Sequence, residues 1–506
     1  MGTPSQPAAV ELAGISKVFP GVKALDDASL SVAAGEVHGL IGENGAGKST
    51  LIKILAGVYR HDAGTVHING EEVHEITPAV MRRLGLRFIH QELHLVPHFT
   101  VAESVFMGQE EQWWYGIRHR HMRERAATVL RDMLGVDLDP AALIRDISPA
   151  ERKLVQVARA LVEPGARIVV FDEPTAPLAH AEVSRVLDAV RRLRDSGIAI
   201  VYVSHYLEEI TGLCDRVTVF RNGTDVGVVE DVHDGETGTL IRMMTGRDVG
   251  DLFPPRPAPS DRVHLEVAQL GDGRTFAEVD LKVRAGEVVG IAGLLGSGAA
   301  ELVDTIMGLR KARSGSVSIA GEKRRLASPA HALAAKMVLI PRDRRSDGLV
   351  LDFSVEDNIS LSTLDDVSTW GLVKGRAVRR RAEEMIGRLD IRPPAPLQQA
   401  RFLSGGNQQK VVLARALEAD ATVLIFDDPT VGVDIGAKAE IYRLIADLAA
   451  SGAAIVVSSN DPTEILGLCH RVEVIVRGRI TASLSTEGLA HHELVEAMTS
   501  TVTKAA

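Results

Sequence analysis

The sequence predicts an α/β protein made of two consecutive copies of one domain, each with a largely parallel central sheet. Three observations lead to this fold class. The 506 residues exceed what one hydrophobic core usually holds. Apolar, strand-like runs alternate with helical patterns in both halves, which is typical of a parallel sheet covered by helices. Each half also has a glycine-rich loop directly after an apolar strand.

The internal repeat defines the predicted domains. The segment 34-AGEVHGLIGENGAGKSTLIKILAG-57 aligns with 285-AGEVVGIAGLLGSGAAELVDTIMG-308 at an offset of 251 residues, and later segments align at 255. A repeat of this length indicates a duplicated domain rather than a solenoid unit. We predict domains at 8–249 and 263–497, joined by a proline-rich linker at 250–262. Cys214 and Cys469 coincide in the repeat, which indicates two buried small residues rather than a bridge.

Composition excludes several classes of function. A net charge of −10 and only 4% aromatic residues are unlike a general nucleic-acid binder. Two cysteines fit a reducing compartment. The N-terminus lacks the basic and apolar regions of a signal peptide, and no apolar run reaches the roughly 18–20 residues that span a bilayer. We therefore expect any membrane role to come through a partner.

The first glycine-rich loop predicts binding of a nucleoside triphosphate. The segment 42-GENGAGKST-50 fits the pattern G-x-x-x-x-G-K-[ST] between a strand and a helix. Lysine can reach the β and γ phosphates, the serine hydroxyl can ligate Mg²⁺, and the helix N-terminus adds free amides. The residues expected to contact the triphosphate are Gly42, Glu43, Asn44, Gly45, Ala46, Gly47, Lys48, Ser49 and Thr50.

An acidic pair and a histidine complete the predicted chemistry of the first half. The apolar run 168-IVVF-171 ends in Asp172, expected to hold Mg²⁺, and Glu173, expected to polarise the attacking water. The other interpretation, a solvated acidic pair, is less consistent with the nearby phosphate loop. His205 also follows an apolar strand. We expect it to sense the γ-phosphate, although a lone histidine there is often structural.

One further motif resembles a known family. The segment 403-LSGGNQQKVVLARAL-417 is similar to the signature motif of the ATP-binding-cassette ATPases, and the resemblance covers about residues 8–495. The fused double cassette, short linker and altered second loop resemble the ATPase subunits of bacterial monosaccharide importers. The resemblance implies two tandem P-loop NTPase domains. Each would have a mostly parallel core sheet, an antiparallel β-subdomain and a helical subdomain.

The resemblance also implies roles for single residues and cofactors. Phe19 would stack on adenine, although from the sequence alone it fits a core position. Gln91 would link Mg²⁺ and water to a transmembrane partner. ATP and Mg²⁺ would be the cofactors, and the activity would be hydrolysis of ATP to ADP and phosphate.

Cassettes of this family pair head to tail, so each ATP site would combine the loop of one half with the signature of the other. One predicted site joins the first loop, Gln91, Asp172, Glu173 and His205 to Ser404, Gly405 and Gly406. The other is degenerate on both sides, because it lacks the lysine, the glutamine, the glutamate, the histidine and the signature glycines. Its altered residues are Ala299, Ala300, Arg342, Asp428 and Asn460, with Pro149, Ala150 and Glu151.

The first signature, 147-ISPAERKLVQVARAL-161, nevertheless predicts a sound helix. Ser148 and Glu151 form the pattern of a capping box, and Pro149 takes the first helical position. The carboxylate at the helix start would repel phosphate. We expect one catalytic site and one degenerate, structural site.

The resemblance implies an integral membrane permease and an extracytoplasmic solute-binding protein as partners, with no nucleic acid and no direct insertion into the membrane. The chain would lie peripherally at the cytoplasmic face of the inner membrane. Two alternatives remain open: an importer of a nucleoside or furanone, and a soluble tandem-cassette ATPase that binds the ribosome. The short linker, acidic charge and degenerate site oppose the second.

The segment 112-QWWYGIRHRHMRER-125 stands apart from these motifs. Its histidines and arginines could suggest a metal or nucleic-acid patch. We predict a solvated polar segment that leads into a helix, with Trp113 and Trp114 on an exposed face. Contact with a permease is the remaining alternative.

Overall fold

The computed structural model of the chain describes residues 8–91, 94–114, 116–175, 178, 180–204, 206–246, 252–294, 296–431, 433 and 435–499. The chain divides into two compact units, Met1–Val249 and Gly250–Ala506. The predicted α/β class is confirmed in both, since each contains one mostly parallel sheet, one antiparallel sheet and a group of helices.

The first unit contains a six-stranded sheet that is parallel except for its first edge strand. Its order is Thr224–Glu230, Arg216–Arg221, Val37–Gly42, Ala199–Val203, Ile168–Asp172 and Leu86–Ile89. The antiparallel sheet has the order Val22–Val32, Val10–Phe19, Ala63–Ile68 and Glu71–Glu72. A short hairpin joins Gln112–Trp113 to Gly116–Ile117.

The helices of the first unit follow the loops between these strands. They are Lys48–Leu55, Pro78–Arg83, Val101–Val105, His119–Thr128 with the π-helical turn Val129–Met133, Ile144–Asp146 (3-10), Pro149–Leu161, His180–Asp195, Leu207–Leu213, Asp234–Glu236 (3-10) and Thr237–Thr245.

The second unit repeats this topology. Its six-stranded sheet has the order Met337–Ile340, Val423–Asp427, Ala454–Ser458, Val288–Ala292, Arg471–Val476 and Arg479–Ser485, and the last strand is antiparallel. The antiparallel sheet has the order Val279–Arg284, Val263–Gly271, Ser314–Ile319 and Glu322–Arg324, and a hairpin joins Ser368–Thr369 to Leu372–Val373. The helices are Ala299–Ile306, Pro329–Ala334, Arg344–Gly348 (a π-helical turn), Val355–Ser360, Leu364–Val367 (3-10), Gly375–Arg388, Ala400–Phe402 (3-10), Gly405–Glu418, Ile435–Ala450, Pro462–Leu468 and His491–Thr499.

The central strands are continuously apolar because helices cover the six-stranded sheets. In each unit the cysteine packs against a glycine of the central strand. A Cβ on Gly39 or on Gly290 would lie 3.1 Å from the Sγ of Cys214 or Cys469, respectively. Both cysteines are buried and free, which confirms the prediction that they are packing residues rather than a bridge.

The described part of the predicted linker packs on the second unit. Phe253 stacks on Tyr442 with ring centroids 5.0 Å apart. Arg256 donates to the carbonyl of Leu466 at 2.6 Å. A helix of sufficient length and apolarity to cross a membrane is absent from the described residues.

Candidate nucleotide-binding sites in the two units

The first glycine-rich loop connects the strand Val37–Gly42 to the helix Lys48–Leu55. Gly47 caps this helix with a φ of 102°, and a Cβ on it would lie 2.7 Å from the carbonyl oxygen of Ala24. Lys48 is 7% exposed. Its Nζ donates to the carbonyls of Gly42 at 2.6 Å and Glu43 at 3.0 Å. The ammonium group and the helix N-terminus therefore lie on one loop, which suits a phosphate group.

The acidic pair lies one strand away from this loop. The strand Ala199–Val203 pairs in parallel with both the loop strand and Ile168–Asp172. Burial and the neighbouring Glu173 raise the pKa of Asp172, while nearby His90, Lys48 and Lys53 partly offset that rise. A partly buried carboxylate whose ionisation is disfavoured is stabilised by a nearby divalent cation, so this position suits one.

Gln91 and Glu173, which are 82 residues apart in sequence, meet in the structure. The Nε2 of Gln91 donates to the Oε2 of Glu173 at 2.9 Å. The backbone of Glu173 has a φ of 44°, in the left-handed region, and its amide donates to the carbonyl of Val203 at 2.9 Å. Strained backbone that neighbouring hydrogen bonds hold in place is common at functional sites.

The structure describes Phe19 but not His205, the other two residues predicted to contact the nucleotide. Phe19 ends the strand Val10–Phe19 and is only partly buried, so the core position that its sequence suggested is wrong. Its ring meets Tyr59 edge-on with centroids 5.3 Å apart, and the Nζ of Lys17 lies 5.7 Å from its centroid. His205 lies outside the described residues.

Sequence reasoning missed a buried lysine under Gln91. Lys153, on the helix Pro149–Leu161, has no exposed surface. Its Nζ donates to the carbonyls of His90 at 2.9 Å and Gln91 at 3.2 Å, and to the Oε1 of Gln156 at 3.0 Å. Burial lowers its pKa to about 8, with Asp172 acting in the opposite direction. This lysine therefore ties the signature helix to the backbone at Gln91.

A buried glutamate, also missed, connects the loop after Glu173 to the strand end before His205. Glu209 accepts hydrogen bonds from the hydroxyls of Thr175 at 2.5 Å, Tyr202 at 2.8 Å and Ser204 at 3.0 Å. In the second unit Glu464 has this position. It accepts from Thr430 at 3.0 Å and Ser459 at 2.5 Å. A glutamate six residues after a strand end gives no sequence signal for such a role.

The second loop ends in the same backbone conformation as the first. Gly298 caps the helix Ala299–Ile306 with a φ of 103°. At the offset of 251, Ala299 and Ala300 replace Lys48 and Ser49. The change continues along the helix, because Glu301 and Asp304 stand where the first unit has Thr50 and Lys53. The loop has lost two positive charges and gained two negative ones, which opposes phosphate binding.

The acidic pair of the second unit is neutralised from within the unit. Arg342 forms an ion pair with the Oδ2 of Asp428, and its Nη2 lies 3.6 Å from the Oδ1 of Asp427. Asn460 donates to Asp428 from its backbone amide at 3.0 Å and from its Nδ2 at 3.1 Å. Burial raises the pKa of Asp427 to about 6, with Arg342 acting in the opposite direction. A guanidinium thus takes the place of an external cation.

The two signature helices begin differently. In the first, the hydroxyl of Ser148 accepts from the amide of Glu151 at 3.3 Å, and the amide of Ser148 donates to the Oε2 of Glu151 at 2.8 Å. The predicted capping box is confirmed, and the carboxylate of the helix itself occupies its N-terminus. The signature residues Pro149 and Ala150 follow this cap in the first turn.

In the second helix, Gly405–Glu418, the side chain of Ser404 makes no capping hydrogen bond. Its hydroxyl accepts instead from the Nδ2 of Asn407 at 2.9 Å. A Cβ on Gly405 would lie 2.6 Å from the Nη2 of Arg344, so a guanidinium flanks this helix start. An uncapped N-terminus beside an arginine favours an anion.

Comparisons with known proteins agree with this architecture. The sequence model of the ABC transporter family matches residues 25–176 and 276–431. A ribose import ATP-binding protein of Cereibacter sphaeroides is 47% identical over 95% of this chain and 95% of its own length. One of Pseudomonas putida is 46% identical over 94% of this chain and 92% of its own length.

Among solved structures, the ADP conformation of an ATP-binding cassette of an ABC transporter is 25% identical, with a TM-score of 0.42. It covers 47% of this chain and 99% of its own. The family model matches once in each unit, and the relatives match almost the whole chain. The chain therefore belongs to the ABC transporter family and carries two ATP-binding cassettes in tandem.

Proposed function

We propose that the chain is the ATP-hydrolysing subunit of an importer for a monosaccharide, with ribose as the first candidate. The observation that carries this proposal is the 47% identity over 95% of the chain to a protein named for ribose import. Similar relatives in Pseudomonas putida and Halalkalibacterium halodurans have the same name. These relatives do not favour an importer of nucleosides or furanones, or a ribosome-binding ATPase.

We place the catalytic site at the loop of the first cassette, completed by Ser404, Gly405 and Gly406 of the second. The ammonium group of Lys48 would balance phosphate charge, and Phe19 would stack on adenine. The hydroxyl of Ser49 and the carboxylate of Asp172, with Gln91, would hold Mg²⁺. A bound Mg²⁺ supplies charge neutralisation on the phosphate oxygens.

In the proposed reaction, water attacks the γ-phosphorus while the bond to the bridging oxygen breaks, which yields ADP and phosphate. Glu173 accepts the proton of the attacking water. Gln91 keeps the carboxylate of Glu173 oriented through its 2.9 Å hydrogen bond, and His205 contacts the γ-phosphate. Such positioning is the main protein contribution to phosphoryl transfer. The degenerate site would have no turnover, because its acidic pair already holds Arg342.

The partners would be a membrane permease and an extracytoplasmic binding protein, with the chain at the cytoplasmic face of the membrane. A groove in the first cassette, beside His90, supports docking of a permease segment. Its apolar lining includes Met81, Leu86, Phe88 and Met107. ATP binding would draw the cassettes together and switch the permease, and hydrolysis would reset it.

A matched pair of substitutions tests the catalytic assignment. Glu173→Gln in the full chain should lower ATP turnover by about 10²–10⁴-fold, the usual contribution of a positioned general base. Asp428→Asn, at the same position of the second cassette, should leave turnover within twofold. Near-normal hydrolysis by Glu173→Gln would contradict the proposal. Uptake of labelled ribose by cells that carry either variant tests the solute, with xylose and galactose as competitors.

A further inference from the structure

The three tryptophans of the chain lie on the two short hairpins, one hairpin in each cassette. At an offset of 256, Trp114 and Trp370 occupy the same position in the turn. They are 84% and 98% exposed, and Trp113 is 54% exposed. Tryptophan is normally well buried, so the confinement of all three to two equivalent, exposed hairpins indicates a surface that becomes covered.

Other exposed apolar side chains extend these tips. Ile117 follows the turn of the first hairpin and is 45% exposed. Leu372 and Val373 follow the turn of the second and are 75% and 52% exposed. We call each of these two segments, residues 112–114 with 116–118 and residues 368–374, an aromatic hairpin. Each one brings several exposed apolar side chains together on one short hairpin, with an exposed tryptophan in its turn.

A basic helix follows each aromatic hairpin directly. Residues 112–125 contain four arginines and one glutamate, and residues 368–381 contain five basic and no acidic residues. The two windows match at the same offset of 256. The whole chain has a net charge of −10, so these are local basic clusters on an acidic protein.

Packing turns the basic side chains outward. The helix His119–Thr128 buries Met122 and Ala126, and Gly375–Arg388 buries Val378, Ala382, Met385 and Ile386. Part of the charge is offset locally, since four of the arginines form ion pairs: Arg120 with Glu124, Arg125 with Glu111, Arg379 with Glu356 and Arg381 with Glu418. Arg123, Lys374, Arg376 and Arg380 are exposed, and none of them has an ion pair among the described residues.

We propose that the aromatic hairpins with their basic helices bind anionic phospholipid headgroups at the membrane surface. Tryptophan prefers the boundary between lipid chains and water, where its ring is buried and its N–H stays hydrated. Clustered arginine and lysine side chains are attracted to the negative charge of anionic lipids. The guanidinium of Arg118 lies 5.5 Å from the ring centroid of Trp113. A cationic group and an aromatic ring are therefore adjacent on the same hairpin.

A lipid surface explains these features better than a protein partner does. Aromatic anchors of protein interfaces usually fill a well-packed central pocket. Here the rings project from two-residue strands, and arginines beside them point into solvent. The rest of the acidic protein is repelled by an anionic membrane, so the basic clusters would decide which surface of each cassette touches it.

Intrinsic fluorescence tests this proposal in the full-length protein, because its tryptophans report on the aromatic hairpins alone. Vesicles of phosphatidylcholine mixed with phosphatidylglycerol should shift the emission to shorter wavelength, and lipids brominated on their chains should quench it. Pure phosphatidylcholine should do neither, and high salt should reverse the shift. Trp114→Ser combined with Trp370→Ser should weaken sedimentation with anionic vesicles at least tenfold.

The matched control is Val22→Ser combined with Leu309→Ser, which changes residues that are 63% and 54% exposed elsewhere in the two cassettes. This control should sediment like wild type. Absence of a shift with anionic vesicles, or equal sedimentation of both double variants, would overturn the proposal. So would a shift that requires the permease in neutral lipid, which would assign the hairpins to a protein partner. ATP turnover of the Trp114→Ser, Trp370→Ser variant without lipid should equal that of wild type. A loss of vesicle binding is therefore distinguishable from a failure of the proposed ATPase function.

Discussion

The two cassettes share one loop backbone but have opposite chemistry on it. Gly47 and Gly298 have φ values of 102° and 103°. Both values lie in the left-handed region that favours glycine, and a Cβ would lie 2.7 Å from the carbonyl oxygen of Ala24 in one cassette and 3.1 Å from that of Thr275 in the other. The shape of a phosphate-binding loop can therefore persist after its phosphate-binding groups have been replaced.

The acidic pairs show the same contrast. In the first cassette burial and the neighbouring Glu173 raise the pKa of Asp172, while Lys48 and Lys53 act in the opposite direction. In the second, Arg342 lies between Asp427 and Asp428. Burial raises the pKa of the first aspartate in both cassettes, so the contrast lies in the ion pair of Arg342 with Asp428 in the second.

The largest expected effect concerns the loop lysine. Lys48→Ala should lower ATP turnover at least 10²-fold, because it removes the charge that balances the phosphates and two charged hydrogen bonds within the loop. The reciprocal change, Ala299→Lys, should leave turnover unchanged. It restores one charge next to Glu301 and Asp304 but provides neither the serine nor the glutamate.

Steady-state hydrolysis and binding of a fluorescent ATP analogue measure both variants. If Ala299→Lys created a second site with turnover, the missing lysine alone would explain why the second cassette is inactive. Its other substitutions would then have little effect on hydrolysis. If Lys48→Ala kept its turnover, the catalytic site would have to be assigned elsewhere.

The second prediction concerns stability and pH. Burial raises the pKa of Glu464 to about 7 from an ordinary value of 4.5. The folded second cassette therefore holds this proton more tightly than the unfolded chain. Its contribution to stability is complete below pH 4.5 and is lost as pH rises through 7. Glu464→Gln should remove up to about 3 kcal/mol of this dependence.

Hydrogen exchange in the strand Ala454–Ser458 at pH 5.5 and pH 8 measures this difference after correction for intrinsic exchange. Glutamine can still accept the hydroxyls of Thr430 and Ser459, so the variant should fold. A wild-type protein with the same protection at both pH values would contradict the raised pKa.

The third prediction tests Lys153 as a positioning residue. Lys153→Met keeps the length of the side chain but removes the donors to His90 and Gln91, and should lower kcat about tenfold with KM nearly unchanged. Gln409→Met, at the equivalent position of the second cassette, is the control and should be near wild type. Partial recovery of kcat in Lys153→Gln would support a role for the donors. Loss of stability with normal kcat would reduce Lys153 to a packing role.

The sequence predicted the features that depend on short spacing. The loop motif, the capping box of Ser148 and Glu151 and the repeat of two α/β domains are all set by residues within one turn or one strand, where local rules are strong. The proposed roles of Phe19 and the signature glycines came from family resemblance, and that of His205 from its place after the acidic pair. All of them remain predictions.

The sequence could not predict contacts between distant segments. Lys153 donates to a carbonyl 63 residues away, and Thr175 donates to Glu209 across 34 residues. A lysine in an amphipathic helix usually faces solvent, so only the fold reveals that this one is buried. Likewise, the sequence shows only that Arg342 replaces the glutamine of the first cassette. The structure shows that its guanidinium forms an ion pair with Asp428.

The smallest expected effect concerns Arg342, the residue that forms an ion pair with the acidic pair of the second cassette. Arg342→Gln restores the residue type of the first cassette at this position and leaves Asp427 and Asp428 without their guanidinium. Because Arg342 is partly exposed, we expect a loss of about 1 kcal/mol in the stability of the second cassette. Mg²⁺ should now recover this loss, since two adjacent carboxylates and an amide oxygen form a set of ligands that suits it.

Hydrogen exchange of the strand Val423–Asp427 with and without Mg²⁺ measures the effect of Arg342→Gln. Wild type and the control Arg345→Gln, which changes an exposed neighbour, should show no effect of Mg²⁺ on this strand. Protection of the wild-type strand by Mg²⁺ would mean that the cation can displace the guanidinium of Arg342 from the two carboxylates. Protection in the variant alone would show that one side chain separates a cation-binding acidic pair from a structural one.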